Sequence, residues 1–422
     1  MANTNTVLDM VARESLRIAH EKATFISTIN RSYDDQYKKT GWKTGSVLRV
    51  ANPNQYTRRQ GSRVMDVQDQ NETTQSITMA TQDGVDMRFN SAELALNVNS
   101  PAEVDAFSKR YIEPAMSVLM SGIDGDMLTQ ATKDTYQLAG TFGTVVGTSG
   151  DITALGNARA KLNQQLAPKD SNRALQIDSV TMASIVNGNK ALFNPDTQIK
   201  KAFTEGYYAR SAMADFYENE RTYTQTYGGD VTGNTDADAL VTDGGIIVDF
   251  HTLISVANTE VGSVFTIAGV YDCHPETKQA YSHLKQFTVI SKNAASINVS
   301  PTIYLGLSAS TAAKRNVCSS TGAALAVTDF NAKAVTFFGA ISTAYRNNLM
   351  YHKDAFTFVT ADLPLMDDAH KCVRRSQDGL SLRVWQASDI RNDELLMRID
   401  ILYGVAALRP EWACRMIGAA SA

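Results

Sequence analysis

The chain has 422 residues, enough for two or three domains with real cores. Apolar residues make up 43% and charged residues 20%, which excludes a disordered tail. A formal net charge of −4 argues against a general nucleic-acid binder.

The N-terminus has no basic start and no apolar core, and Asp9, Arg13, Glu14 and Arg17 interrupt it, so no signal peptide is expected. No apolar run approaches the length of a membrane span. Val7, Val11, Ser15, Ile18, Lys22, Phe25 and Ile29 form a narrow helical stripe. Residues 5–30 are therefore expected to be an arm of one or two amphipathic helices that docks on its own core or on a neighbour. The arm with its polar tail fills 1–45.

Residues 46–90 are expected to be an extended two-stranded excursion. Leu48 and Val50 alternate with polar neighbours at one end; Ile77, Met79, Val85, Met87 and Phe89 do so at the other. Between them, 52–75 is nearly devoid of apolar residues, and its charges are segregated. Arg58, Arg59 and Arg63 come first; Asp66, Asp69 and Glu72 follow. A solvated hairpin tip accounts for this pattern. So does an arm that meets complementary charge on another subunit. Phosphate contact is disfavoured by the nearby acids and the lack of interleaved aromatics.

Ser100, Pro101 and Glu103 read as a helix start with a capping box. Apolar residues then recur at Val104, Phe107, Tyr111, Ala115, Leu119, Ile123 and Met127, which predicts a long helix to Lys133, kinked or broken at Pro114. With the Gly/Thr-rich link that ends at Gly150 it forms a unit at 91–150. Gly140, Gly143 and Gly147 lack the spacing and the Lys-Ser/Thr pair of a phosphate loop, so a hinge is the better reading. An α+β block follows at 151–229, with a helix from Asp151 or Thr153 to Leu166, a strand at Ala174–Val180, a short helix at Met182–Asn187, and mixed loop and helix over Ile199–Phe216.

At Tyr227 the composition turns to Gly, Asp, Asn and Thr, a linker signal. Short apolar or alternating runs then recur at Ile246–Phe250, Ser263–Val270, Gln286–Ile290, Ser296–Val299, Thr302–Leu305 and Leu325–Thr328. That spacing predicts an inserted all-β barrel or sandwich at 230–344. Strands at Ala355–Thr360, Leu380–Gln386 and Leu396–Gly404 return the chain to the first α+β fold over 345–422.

Catalytic sets are weak. The four cysteines, Cys273, Cys318, Cys372 and Cys414, stand far apart with no C-x-x-C pair, as free thiols in a reducing compartment do. Cys273, His274 and His283 fit no structural zinc spacing and lack a fourth ligand. His352 with Asp354 resembles a base and its orienter, but no nucleophile motif accompanies them. Asp367, Asp368 and His370 are better read as a solvated loop than a divalent-ion site, and Asp34–Asp35 and Asp124–Asp126 as surface carboxylates. No cofactor or metal is expected.

Three stretches carry a family resemblance: 261–290 (VGSVFTIAGVYDCHPETKQAYSHLKQFTVI) with 297–306 (INVSPTIYLG), 347–365 (NNLMYHKDAFTFVTADLPL), and 381–418 (SLRVWQASDIRNDELLMRIDILYGVAALRPEWACRMIG). They resemble, in turn, the inserted β-barrel, the return segment and the C-terminal strands of the major capsid (coat) proteins of short-tailed double-stranded DNA phages. The order of arm, extended loop, spine helix, peripheral block, axial block and insertion matches as well. The resemblance implies the α+β capsid fold shared by tailed phages and herpesviruses, with an inserted barrel. It implies a structural subunit and no enzyme. Its partners would be further copies of itself in pentamers and hexamers, a scaffolding protein, a portal protein, decoration proteins in some members, and packaged double-stranded DNA by non-specific proximity. It would assemble in the host cytoplasm into an icosahedral virion shell that expands as DNA enters.

On that reading Arg58, Arg59, Arg63, Asp66, Asp69 and Glu72 are candidate intersubunit contacts. Pro114 and the three link glycines are candidate hinges. Asp236, Asp238 and Asp243 would make intersubunit ion pairs or belong to a flexible linker. The net negative charge suits a shell that must not grip DNA during packaging. An enzyme with an unrecognised site, a secreted binding module and a tail or decoration protein are the rival readings. The missing catalytic cluster, the missing signal peptide and paired cysteines, and the long helix oppose them in turn.

Overall fold

The computed structural model describes residues 4–33, 47–59, 61, 63–65, 67–68, 72–90, 108–148, 152–188, 210–228, 233–236, 241–249, 258–293, 296–366 and 371–420. Ser100, Pro101, Glu103, Val104, Phe107, Asp34, Asp35, Asp66, Asp69, Asp238, Asp367, Asp368 and His370 lie outside them. The chain forms two compact units, one from residues 1–50, 75–127 and 356–406, the other from 51–74, 128–355 and 407–422.

The first unit is built on a six-stranded sheet. Its order is Val47–Ala51, Thr74–Asn90, Glu394–Ala407, Leu380–Asp389 and Lys371–Gln377, with Phe356–Ala361 pairing to Glu394–Ala407. The alternation expected at Ile77 and Met79 is present, with both buried between exposed neighbours. Lys371–Gln377 was not expected as a strand; it is polar, and its strand state comes from seven ladder pairs with Leu380–Gln386. Asp400 is fully buried and takes Arg383 and Arg398 at 2.6 Å each. Gly84 lies opposite it, and a Cβ there would stand 2.6 Å from Asp400 Oδ1.

The arm is helical over Thr4–Lys22 and Phe25–Thr28, and its longer helix packs on Lys371–Gln377 and Leu380–Asp389. Asp124 is no surface carboxylate, contrary to expectation. It is fully buried, and its Oδ1 accepts from the backbone N–H groups of Phe25 and Ile26 at 2.9 and 3.1 Å. It thus satisfies two donors at a helix start that has no side-chain cap of its own. Asp126 is exposed, as expected.

The long helix is described from Ser108. Ser108–Ile112 has π-helical geometry and Glu113–Asp134 is α-helical. Pro114, the second α-helical residue, stands just after this change of winding. Proline has no N–H to continue an earlier ladder, and a π-turn is one way a helix absorbs that loss. Leu119, Ile123 and Met127 of the expected stripe are buried and Met116 and Met120 widen it, whereas Tyr111 is exposed.

The second unit holds two seven-stranded sheets. One runs Leu138–Ala139, Ala413–Ala420, Thr343–His352, Arg173–Ile177, Ala214–Glu218, Arg210–Ser211, with Thr224–Tyr227 also paired to Thr343–His352. Helices Thr153–Gln164 and Ser179–Gly188 bury Leu155, Leu162, Met182 and Ile185 in its core. Ala214–Glu218 corrects the loop-and-helix expectation there: parallel pairing with Arg173–Ile177 overrides local pattern.

The other sheet lies wholly between residues 233 and 337. Its order is Gly233–Asn234, Ala334–Phe337, Val264–Cys273, Ala280–Lys292, Ser296–Ile303, Gly245–Asp249, with Val317–Cys318 paired to Val264–Cys273. Its two end strands meet where Asp236 N–H donates to Asp249 O at 3.3 Å. It has its own apolar core, including Phe265, Phe287, Phe337 and Val299. Leu325–Thr328 is not a strand; Val327–Phe330 is a 3₁₀ turn whose Asp329 accepts from Ala326 N–H. The chain leaves the first sheet at Tyr227 and returns directly opposite it, at Thr343. Adjacent entry and exit make an insertion compatible with an intact host sheet.

Candidate functional site

The most heavily built place in the second unit is the joint between its two sheets. At its centre is Arg415, fully buried on the last strand between Leu138 and Leu349. Its Nε donates to Thr135 O at 2.6 Å and its Nη2 to Lys133 O at 2.9 Å. These carbonyls lie at the C-terminal end of helix Glu113–Asp134, where the last acceptors have no partner within the helix. Nη1 donates to Gly262 O at 2.6 Å and Nη2 to Thr288 Oγ1 at 2.9 Å, both in the inserted segment. One planar fork therefore ties helix end, last strand and inserted sheet together, which a flexible ammonium would do poorly.

A second node lies along strand Ala280–Lys292. Asp272 is buried and bonded by Lys285 at 2.7 Å and Gln165 at 2.9 Å, with His283 at 3.4 Å. Burial alone would raise its pKa, but the Lys285 charge and the His283 contact bring it down to about 2. Lys285 also lies over the Tyr136 ring at 5.0 Å. Gln286 accepts from Leu138 N–H at 2.9 Å and Lys161 at 2.6 Å, and Tyr281 donates to Gln164 O at 2.9 Å. An apolar seal adjoins these bonds: Phe142 meets Tyr227 and Tyr345 edge-on at 5.1 and 4.9 Å.

The expected sites fare unevenly. His283 is drawn into the Asp272 node, while Cys273 and His274 are not brought with it into a metal set. Among the described residues no group of three His, Cys, Asp or Glu side chains could hold a metal. His352 is buried between Asp170, 3.1 Å from its Nε2, and Asp354, whose carboxylate is 3.8 Å from Nδ1; Trp412 packs against it edge-on. That arrangement fixes the ring. Asp243 is no free partner for another chain. It accepts from the N–H groups of Leu305, Gly306 and Leu307 and from Thr311 Oγ1, closing its own loop. Burial opposes its charge, but these donors hold its pKa below the usual value.

In the extended loop Arg58, Arg59, Arg63 and Glu72 are exposed. Arg59 turns back on the loop, donating to Val64 O at 2.5 Å. The two limbs are tied by Gln68, which bonds both N–H and C=O of Thr57 at 2.8 and 2.7 Å. The tip is less polar than the charge pattern suggests: Val64, Met65 and Val67 are 73–78% exposed. Gly140, Gly143 and Gly147 all hold positive φ, at 99, 81 and 92°.

Residues 229–418, which take in the inserted sheet, the return strands and Arg415, match the family model described as P22 coat protein, gene protein 5. That segment is similar to phage coat protein. No curated protein matches it. Among solved structures, the chain is similar to one described as Mycobacterium phage Che8, at 10% identity and TM-score 0.49, covering 93% of this chain and 90% of that one. It is also similar to the capsid structure of Cyanophage P-SCSP1u at 14% identity and TM-score 0.43, covering 90% and 85%. A virus-like particle from Pyrococcus furiosus is similar at 8% identity and TM-score 0.40, covering 97% and 98%. Among the described residues no helix is long and apolar enough to cross a membrane.

Proposed function

We propose that this chain is a phage coat protein that assembles as pentamers and hexamers into an icosahedral shell around a scaffolding protein, and that the shell expands as double-stranded DNA is pumped through a portal. The match of residues 229–418 to coat protein carries this reading. The subunit's role is to build, not to catalyse. Its main partner is itself, with scaffolding, portal and decoration proteins as further ones, and its place is the virion capsid, assembled in the host cytoplasm.

Within that role the joint around Arg415 and Asp272 holds the inserted sheet on the shell-forming sheet, so that a neighbour touching one feels the other. The extended loop is the arm that reaches a neighbouring copy. Arg58, Arg63 and Glu72 are exposed there for complementary charge, with Asp66 and Asp69 as its acidic side, and Val64, Met65 and Val67 supply apolar area. Expansion needs elements with two packings. We assign that part to Pro114, at a change of helical winding, and to Gly140, Gly143 and Gly147. Co-expression with the scaffolding protein, followed by sedimentation of the lysate, tests the proposal. The protein should pellet as large particles; protein that stays in the subunit fraction contradicts it.

A further inference from the structure

In the inserted sheet, strand Val264–Cys273 pairs with the two-residue strand Val317–Cys318, and Cys318 lies opposite Tyr271. Cys273 is two residues on from Tyr271, so it points to the same face. Cys318 Sγ stands 3.8 Å from the carbonyl oxygens of Tyr271 and Asp272, the two residues before Cys273, and Cys273 Sγ lies 3.9 Å from His274 O. Neither is bridged: both are free cysteines. Lys278 Nζ donates to Arg315 O at 3.1 Å, and Arg315 Nη2 donates back to Lys278 O at 3.0 Å, which fixes two cations beside Cys273. Arg315 Nε is buried with no hydrogen-bond partner. An N–H left without an acceptor next to a thiol is the donor that a thiolate there would satisfy.

The other two cysteines lack this setting. Cys414 is fully buried, and burial pushes its thiol up to about 12. Cys372 is half-buried on strand Lys371–Gln377. For Cys273 the direction is the reverse. The neighbouring Cys318 thiol, with Arg315 and Lys278, favours the Cys273 thiolate over the opposing effect of burial, while Cys318 is pushed toward its protonated form. One nucleophilic and one protonated sulfur on neighbouring paired strands is the arrangement of an attacking and a resolving thiol.

We propose that Cys273 and Cys318 form a peroxide-sensitive dithiol that closes to a disulfide within the inserted sheet. The oxidant is hydrogen peroxide, small enough to reach a shielded sulfur. The Cys273 thiolate attacks one peroxide oxygen. An S–O bond forms, the O–O bond breaks, and hydroxide leaves and takes up a proton as water. The Cys318 sulfur then attacks the sulfenic sulfur. An S–S bond forms, the S–O bond breaks, and a second water leaves with the Cys318 proton. Two thiols are oxidised and one peroxide is reduced to two waters. Diagonal neighbours across antiparallel strands stand about 7–8 Å apart at Cα, slightly beyond the ~4.4–6.8 Å of a disulfide. Closure therefore draws the short strand inward, which is feasible because Val317–Cys318 has only two ladder pairs to adjust. The product staples strand Val264–Cys273 to the Val317–Cys318 segment, beside the Asp272 node.

The test uses the whole purified protein, treated with hydrogen peroxide, denatured, alkylated and mapped by peptide mass spectrometry. A peptide pair joining Cys273 to Cys318, lighter by two hydrogens and released by dithiothreitol, is expected, with alkylation lost at both positions together. Cys318→Ser should stop at a Cys273 sulfenic acid that dimedone traps. Cys273→Ser should leave Cys318 alkylatable. Should either variant fail to fold, the wild-type map decides alone. The proposal is overturned if both thiols stay alkylatable while Cys372 oxidises, or if Cys318 oxidises as fast in Cys273→Ser as in the wild type. None of these readouts depends on shell assembly.

Discussion

Arg415 Nη2, on the last strand of the chain, donates to Thr288 Oγ1 in the inserted sheet at 2.9 Å while the same guanidinium closes the carbonyls of Lys133 and Thr135. Arg415→Ala would strand those acceptors together with Gly262 O. Each buried polar group left unpaired costs about 1–3 kcal/mol. We expect a loss of about 3–5 kcal/mol in denaturant unfolding. Arg415→Lys should recover only part of it, since an ammonium cannot span the fork. Equal stability of Arg415→Ala and wild type would contradict the joint.

Acid should weaken the second node. Asp272 has a folded pKa of about 2 against an ordinary value of 3.8. A depressed carboxyl adds stability that is complete above its unfolded value and is lost as pH falls through the folded one. The window is therefore from about pH 4 down to about pH 2, and the loss is on the order of 2 kcal/mol. Asp272→Asn should be less stable at neutral pH and should flatten this part of the pH profile. An unchanged profile would argue against it.

The link glycines should separate in their tolerance of a side chain. Gly143 has φ +81° with open space around a would-be Cβ, so Gly143→Ala carries only left-handed strain, about 1–2 kcal/mol. At Gly147, φ +92°, the Cβ would stand 2.6 Å from Ile185 N. Gly147→Ala should cost clearly more in thermal unfolding. Equal costs would show that the close approach to Ile185 is not kept in solution. Hydrogen exchange across 140–148, measured before and after expansion, tests their part as hinges. A change in protection is expected there.

In the arm, Asp124→Ala should release the backbone N–H groups of Phe25 and Ile26. The expected cost is about 1–2 kcal/mol, in the range of a lost helix cap. Faster exchange at those two amides is the direct readout.

Arg58→Ala with Arg59→Ala should impair assembly and leave the monomer fold intact. Arg59 also holds the loop tip through Val64 O, so the double variant should loosen the loop as well. Normal particles from this variant would remove the loop charges from the account.

Much of the fold was legible because period-two and helical patterns survive wherever one face is buried. The strand expected at 396–404 falls within Glu394–Ala407 for that reason, and those expected at 246–250 and 263–270 overlap Gly245–Asp249 and Val264–Cys273. Polar Lys371–Gln377 was illegible because ladder partners, not its own pattern, make it a strand. Leu325–Thr328 misled because a short apolar run also suits a turn that buries Phe330. The joint was harder still. Arg415, Asp272 and Lys285 are charged residues in otherwise apolar or alternating strands, and nothing local names their partners, which lie 13 to 282 positions away. A charged residue in an apolar strand was the one available signal. Asp124 had the same signature, inside an apolar helix stripe.

The coat-protein account is tested most directly by negative-stain electron microscopy of the purified protein with its scaffolding partner, alongside sedimentation of the same sample. Closed shells or capsomer-like rings are predicted. Particles that never form, with the chain sedimenting as a monomer even when the scaffolding protein is supplied, would contradict it.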